Sequence, residues 1–349
     1  MTTTTQEINK NQTGSPSAVV IASIVLAVAG VGAWIYQLMQ GMAVTGLGNQ
    51  VVWGLYIAGF FAAVGAGAGL LSLVGLSEFM PLIESGKRER ALSLALVSFI
   101  AAGLLIMMDL GSPGRILRMI TAFEVSSLMT WDFWLLVLTG VIALVYLLAV
   151  RKGGSQPVLG VLAVVSAAAV VAVEGWMLSV LAFRPLFAGG LTVFSFLISA
   201  LAAGLGLGLL IMKEKAQLQD ILKIVLIANL TLVLAEVLTG LLTGNEEIAL
   251  VLSGSAAPGF WLHLILGIAL PLGMLFAGMR QDVAGGLVVL GVLAEKVWML
   301  EAGQALPMLE LPAGSYSSSW VEILALIGVV SFGVLLFQIY KNTLLEEQA

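Results

Sequence analysis

Residues 186–212 read "LFAGGLTVFSFLISALAAGLGLGLLIM", a run with no Asp, Glu, Lys or Arg. Arg184 and Pro185 stand just before it, and Lys213 and Lys215 just after. About 20 mostly apolar residues suffice for a helix to cross the hydrocarbon of a bilayer. This stretch therefore reads as a membrane span, and the rest of the chain resembles it. The 349 residues are 60% hydrophobic and 10% charged, with a mean hydropathy of +1.08. A soluble domain carries about 25% charged residues, and surface-to-volume scaling gives it no means of hiding so much apolar surface.

Nine further runs have the same character, at 17–39, 51–76, 91–110, 131–150, 157–182, 220–242, 260–279, 283–302 and 320–340. Pro, Gly and charge punctuate them, as at Pro81 with Lys87, Arg88 and Arg90, at Pro113, at Arg151-Lys152, at Pro258, at Arg280, and at Pro307 and Pro312. The first run has a flank with Lys10 as its one basic residue and no small-residue cleavage site, so it reads as a retained signal anchor.

The second span contains "FFAAVGAGAGLL" (60–71) and the sixth "LAAGLGLGLL" (201–210), both with Gly at alternate positions. Small residues let membrane helices approach closely. The helix after each ends near an acid, Asp109 or Glu236, and the fourth helix of each set holds a buried acid, Glu174 or Glu295. The expected architecture is an all-α polytopic membrane protein of about ten transmembrane helices. Helices 2–5 and 6–9 form two parallel four-helix bundles, with a flanking helix at each end. Along the chain this gives a disordered cytoplasmic N-terminus (1–16), the first helix and its loop (17–50), the first bundle (51–182), the second bundle (186–302), and an outer loop, last helix and cytoplasmic tail (303–349).

Lys and Arg set orientation. Ten spans put Lys10, Lys87, Arg88, Arg90, Arg151, Lys152, Lys213, Lys215, Lys223, Arg280 and Lys341 on the side of the termini, and Arg115, Arg118 and Arg184 on the other. Lys296 lies within a span. The termini are therefore expected in the cytoplasm. Nearly all ionisable residues within spans then fall in the outer half: Asp109, Asp132, Glu174, Glu236, His263, Glu295, Lys296 and Glu301. Such residues are costly in hydrocarbon and mark interior sites or pathways. One polar site near the outer face is the simplest common purpose. Glu295 and Lys296 read either as a structural ion pair or as part of that site, although neighbours on a helix do not face each other.

There is no Cys and one His. An iron–sulfur cluster, haem c, a disulfide and a bis-His haem b are excluded within this chain. Counting does not exclude Met as a haem ligand. The net charge of −5 decides nothing about nucleic acid, and none is expected as a partner.

"QLMQGMAVTGLGNQVVWGLYIAGF" (37–60), "DLGSPGR" (109–115), "SSLMTWDFW" (126–134), "ANLTLVLAEVLTGLLTG" (228–244) and "EKVWMLEAGQALPMLELPAGSYSSSWVEILALIG" (295–328) together resemble the NrfD/PsrC family. The likeness is greatest to its ten-helix branch, typified by HybB and DsrP. The family's usual "DLGRP" stands here as Asp109 to Pro113 with Ser112 in place of Arg. The resemblance implies a membrane anchor of a respiratory iron–sulfur oxidoreductase in a prokaryotic cytoplasmic membrane, without metal centres, haem or clusters of its own. It implies a quinone or quinol site, for menaquinone, near the outer face beside a ferredoxin-like [4Fe–4S] subunit. It implies a larger catalytic subunit beyond, such as a molybdopterin enzyme, a nickel–iron hydrogenase or a multihaem or sulfur-metabolism complex. Such a chain is not catalytic alone.

Quinol oxidation releases two protons with two electrons. A site without metal needs hydrogen bonds to the quinone oxygens and an acid or base within ~3 Å or one water away. Asp109 and Glu236 are the expected proton acceptors. Trp53 and Tyr56 are expected to pack on the head group, with Glu174, His263 and Arg115 as further contacts. An ion-coupled transporter and a structural anchor without a working quinone site are the alternatives. Transporter sites lie near the midplane between inverted repeats, whereas these acids crowd one face and the repeat reads as parallel.

Overall fold

The computed structural model describes residues 18–121, 123–211, 216–306 and 316–341. The expected disordered segment 1–16, Lys10, Lys213, Lys215, Pro307 and Pro312 lie outside the described residues.

Ten helices among the described residues are long and apolar enough to cross a membrane. They are α1 (Ala18–Gln40), α2 (Leu55–Leu76), α3 (Ser85–Asp109), α4 (Leu128–Arg151), α5 (Pro157–Ser179), α6 (Gly190–Ile211), α7 (Ala216–Thr243), α8 (Ala257–Phe276), α9 (Gln281–Ala305) and α10 (Trp320–Tyr340). Short helices at Ile116–Thr121 and Glu247–Ser253 follow α3 and α7. The protein is an all-α polytopic membrane protein.

Cross-helix hydrogen bonds show the alternation of direction. At one face the end of α1 meets the end of α3, where Gln37 Nε2 donates to the Met108 carbonyl at 2.9 Å. At that same face the start of α2 meets the end of α9, and Gly46 meets the start of α10. This is called the far face. At the near face, where α1 begins and α10 ends, Glu78 after α2 meets Ser155 and Gln156 before α5.

Helices α2 and α6 form the centre. Nearly every residue of α2 is buried, as expected of a helix apolar on all sides. It packs on α3, α5, α6 and α9. Its contact with α6 runs through the alternating glycines: a Cβ on Gly69 would stand 2.0 Å from the Ala200 carbonyl oxygen. Similar backbone contacts join α2 to α5 at Gly75 and Gly160, and α6 to α9 at Gly206 and Gly285. Helix α4 packs on α3 and α5, while α8 packs on α9 and α7. The flanking helices α1 and α10 pack on each other, with Gly30 against Gly328.

Two local departures from the sequence reading have clear causes. Helix α3 begins six residues earlier than expected, so Lys87, Arg88, Glu89 and Arg90 lie in its first turns. There they bond: Arg88 Nη1 to Glu78 at 2.9 Å, and Arg151 Nε to Glu89 at 2.8 Å. Hydropathy scored these charges as loop, but their partners hold them on the helix. In α8 the segment His263–Ala269 is π-helical. Pro271 lacks the N–H that would bond the Gly267 carbonyl, and a local π turn accommodates the missing donor.

Candidate functional site

The polar side chains of the far half fall into three groups by their contacts.

The first lies between α6, α7, α8 and α9. Thr192, Ser195 and Ser199 recur at three- and four-residue steps, so they share one face of α6. Helix α9 contributes Glu295, Lys296, Trp298 and Met299, and α7 contributes Glu236. A cavity of about 580 Å³ opens among the start of α6, the end of α7 and the segment after it. Leu191, Thr192, Glu236, Thr239, Thr243 and Asn245 are among its lining residues. A narrow crevice continues inward from Leu191, Thr192 and Glu236 to Ser195, Trp298 and Glu295. Glu236 thus stands where the wide part meets the narrow part. At the rim Glu247 accepts from the Leu186 N–H at 2.6 Å. Burial holds the Glu247 carboxyl above the ordinary carboxylate range, against the pull of that bond and of Arg184.

Behind the crevice, Lys296 Nζ donates to Glu295 Oε1 at 2.7 Å and to Ser199 Oγ at 2.9 Å. It also stands 3.7 Å from the centre of the Phe196 ring. Lys296 and Glu295 are 1% and 2% exposed. The two neighbours do pair, which is one of the two readings of the sequence. The flexible lysine stem carries the ammonium back to its neighbour, because an unpaired charge at this depth is costly.

The second group lies at the ends of α1 and α3 and the starts of α2 and α10. Tyr56 is fully buried and donates its hydroxyl to Gln37 Oε1 at 2.6 Å. Glu322 is also fully buried. It accepts from the Gly46 and Ser319 N–H groups at 2.7 and 2.9 Å, and from the Tyr316 hydroxyl at 2.7 Å. Burial, then the Glu322 charge, pushes the Tyr316 hydroxyl well above its usual range. Gln304 clamps the same loop, accepting from the Val52 and Trp53 N–H groups and donating to the Trp53 carbonyl. Asp109 is half-buried, and its Oδ1 is buried without a hydrogen-bond partner. Beside it an apolar groove of about 330 Å³ runs between α1, α3 and α10, lined by Trp34, Met108 and Phe332 among others. Trp34 Nε1 likewise has no partner.

The third group is Asp132 of α4 with Glu174 of α5. Glu174 is fully buried with neither oxygen bonded, and Asp132 Oδ1 is buried and unbonded.

The expected site residues divide accordingly. Glu236 lines the cavity. His263 lies behind the crevice, and Glu174 is enclosed elsewhere. Asp109 and Tyr56 belong to the second group, with half-buried Trp53 beside it. Arg115 is exposed at the far face, and no ion pair joins it or Arg118 to Asp109 among the described residues. By contact these side chains fall into three groups, and Glu174 of the third still interacts electrostatically with Lys296 of the first. Gln37, Gln304, Tyr316 and Glu322 went unnoticed. Gln304 and Glu322 sit in quoted family segments, but nothing in their spacing marks them as straps. Among the described residues, no cluster of three His, Cys, Asp or Glu is placed to hold a metal ion.

Three relatives bear on identity. Over 123 residues the chain is 40% identical to the putative dimethyl sulfoxide reductase membrane subunit of Halobacterium salinarum. That match covers 35% of this chain and 28% of that protein. It is 27% identical to the Hdr-like menaquinol oxidoreductase integral membrane subunit of Archaeoglobus fulgidus, across 98% of both chains. It is 24% identical to a selenate reductase subunit of Mesobacillus selenatarsenatis, across 90% of both. The family profile described as "Polysulphide reductase, NrfD" matches residues 43–308, most of the length and the whole of the cavity-forming helices. This chain belongs to the NrfD, polysulphide reductase, family.

Proposed function

We propose that this protein is the quinol-reactive membrane subunit of an oxidoreductase complex in a prokaryotic cytoplasmic membrane. The far face is the outer one, and both termini are cytoplasmic. Electrons pass between menaquinol and a ferredoxin-like [4Fe–4S] subunit docked outside, which serves a larger catalytic subunit. The relatives' names support this reading, one being a menaquinol oxidoreductase subunit and two being subunits of reductases. The excess of Lys and Arg at the near face supports the orientation.

The observation that carries it is the cavity at Glu236. Its volume falls within the ~300–1,000 Å³ range of small-molecule sites. Thr239 offers a hydroxyl to a quinone oxygen, Thr192 and Thr243, whose hydroxyls donate to the Phe187 and Thr239 carbonyls, offer acceptor oxygens to a quinol O–H, and the apolar side chains of Leu186 and Leu191 suit the ring. Glu236 takes a proton as a quinol O–H bond breaks; a cluster of the partner subunit would accept the electron. The second proton and electron leave in the same way after Glu236 has returned its proton to the open cavity. In the reverse direction it delivers protons to the quinone.

The test is Glu236→Gln in the purified complex. Turnover with menaquinol should fall by about 10²-fold, in line with the contribution of general acid–base groups, while assembly is kept. Unchanged turnover with unchanged affinity for a quinol analogue sinks the assignment.

A second location is favoured by two unpartnered atoms. Asp109 Oδ1 and Trp34 Nε1 both lack partners close to the apolar α1–α3–α10 groove. A quinone tail would suit that groove, with its head at Asp109. If Asp109→Asn abolishes turnover and Glu236→Gln does not, the site is there.

A further inference from the structure

Trp298 borders the crevice, and His263 stands behind it, 1% exposed. The indole N–H of Trp298 donates to His263 Nδ1 at 3.3 Å, and the two rings lie 24° from parallel. An imidazole nitrogen that accepts a hydrogen bond presents its lone pair, so the ring proton of neutral His263 is on Nε2. That nitrogen faces Glu295 Oε2 at 3.5 Å. Neither atom makes a hydrogen bond among the described residues, so the 3.5 Å approach is a polar contact. The other carboxylate oxygen, Oε1, is taken by Lys296 and by the Ser195 hydroxyl at 3.3 Å.

The charges facing this row are few. Glu295 and Lys296 come from α9 and Glu236 from α7. Ser195 and Ser199 of α6 are neutral, and Glu174 of α5 acts on the row through Lys296. Glu295 and Lys296 neutralise each other within their own pair. A second proton on His263 has to enter at Nδ1, where the indole N–H stands. The π-helical turn begins at His263, and a Cβ on Gly291 would stand 2.1 Å from Gly267 Cα. The close crossing of α8 and α9 thus holds the ring against Trp298.

We infer that Trp298 is a positioning residue: it locks His263 as the neutral Nε2–H tautomer, a donor aimed at Glu295. The His263–Glu295 contact is then an approach of a neutral ring N–H to a carboxylate, and not an ion pair. Glu295 is held between α8 and Lys296, and Glu236 is left as the carboxyl of this group that exchanges protons with the cavity. This last consequence rests on the quinol reading, whereas the tautomer itself does not.

His263 is the only histidine in the chain, so ¹⁵N-histidine labels it alone. The full chain is purified through a histidine-free tag, placed in lipid nanodiscs, and its ring nitrogens are followed by NMR. The expected spectrum is that of the neutral Nε2–H ring, unchanged across pH values on both sides of about 6.5, where a free imidazole titrates. Trp298→Phe keeps an aromatic ring but removes the N–H, and should give mixed tautomers and a titrating ring. An imidazolium or Nδ1–H signal in the wild type at neutral pH overturns the inference. So does a Trp298→Phe spectrum identical to the wild type. If that variant does not fold, the wild-type spectrum alone decides. No quinol is present, so the result is independent of the Glu236→Gln turnover test.

Discussion

Gly69 of α2 and Gly204 of α6 cross backbone to backbone: a Cβ on Gly204 would stand 2.2 Å from the Gly69 carbonyl carbon. No side chain fits there, and the neighbouring atoms are main chain, which cannot swing aside. Gly204→Ala should destabilise the protein by about 1–3 kcal/mol, the usual cost of overpacking. Gly103, within α3, has open space at its Cβ position. Gly103→Ala should instead stabilise by about 0.5–1 kcal/mol through helix propensity. Thermal unfolding in one detergent checks both, and equal shifts would refute the crossing as the reason for the glycine pattern.

A near-face knot supplies a pH dependence. The Glu78 side chain is 1% exposed. Burial alone would lift its carboxyl. The Gln156 N–H, the Tyr146 and Ser155 hydroxyls and the Arg88 guanidinium outweigh burial and hold it below the ordinary glutamate value of 4.5. Its folded value lies below its unfolded one, so the stabilisation is complete above about pH 4.5 and is lost as pH falls through the lower folded value. Glu78→Gln should cost about 2 kcal/mol near neutrality, typical of hydrogen bonds to a charged group. The difference from the wild type should shrink on acidification. A difference that stays constant below pH 4 would rule the carboxylate out as its source.

Glu322 ties the loop after α1 to the start of α10. Glu322→Gln replaces an acceptor oxygen with an amide NH₂ facing the donors Gly46, Ser319 or Tyr316. About 1.5–3 kcal/mol should be lost, and amide exchange should quicken in residues 41–54. Unaltered exchange there would mean that Gln304 carries the strap by itself.

Thr239 lines the Glu236 cavity and is itself exposed. Thr239→Trp should occupy that space without entering the core. Quinol-analogue affinity should fall by at least about tenfold, equivalent to ~1.4 kcal/mol, with the unfolding temperature unchanged. Retained affinity would move the site away from this cavity.

The spans were legible because twenty apolar residues between charges admit one interpretation. The α2–α6 crossing was signalled by the alternating glycines, although neither stretch names the other as its neighbour. Depth of the acids was also readable, since it follows from counting along a helix. Lateral position was not. Asp109, Glu174 and Glu236 share the far half, yet which helix faces which depends on packing between segments remote in sequence. For the same reason the sequence placed Asp132 by depth alone, and it proves to be buried. Gln37 and Gln304 look like ordinary polar residues near helix ends. Only the tertiary fold shows that they bind the Met108 carbonyl and the Trp53 backbone. The pairing of Glu295 with Lys296 needed the reach of a lysine stem, which a helical wheel omits.

The contact between Gly30 and Gly328 has a bearing on biosynthesis. A ribosome reaches Gly328 about 300 residues after Gly30 has been made, so α1 must wait in the bilayer with its small-residue seam facing lipid. Glu322 arrives equally late, and until then the loop around Gly46 has no anchor. A nascent chain halted before α10 would therefore be inserted yet unfinished at its first helix, open to capture by quality-control proteases.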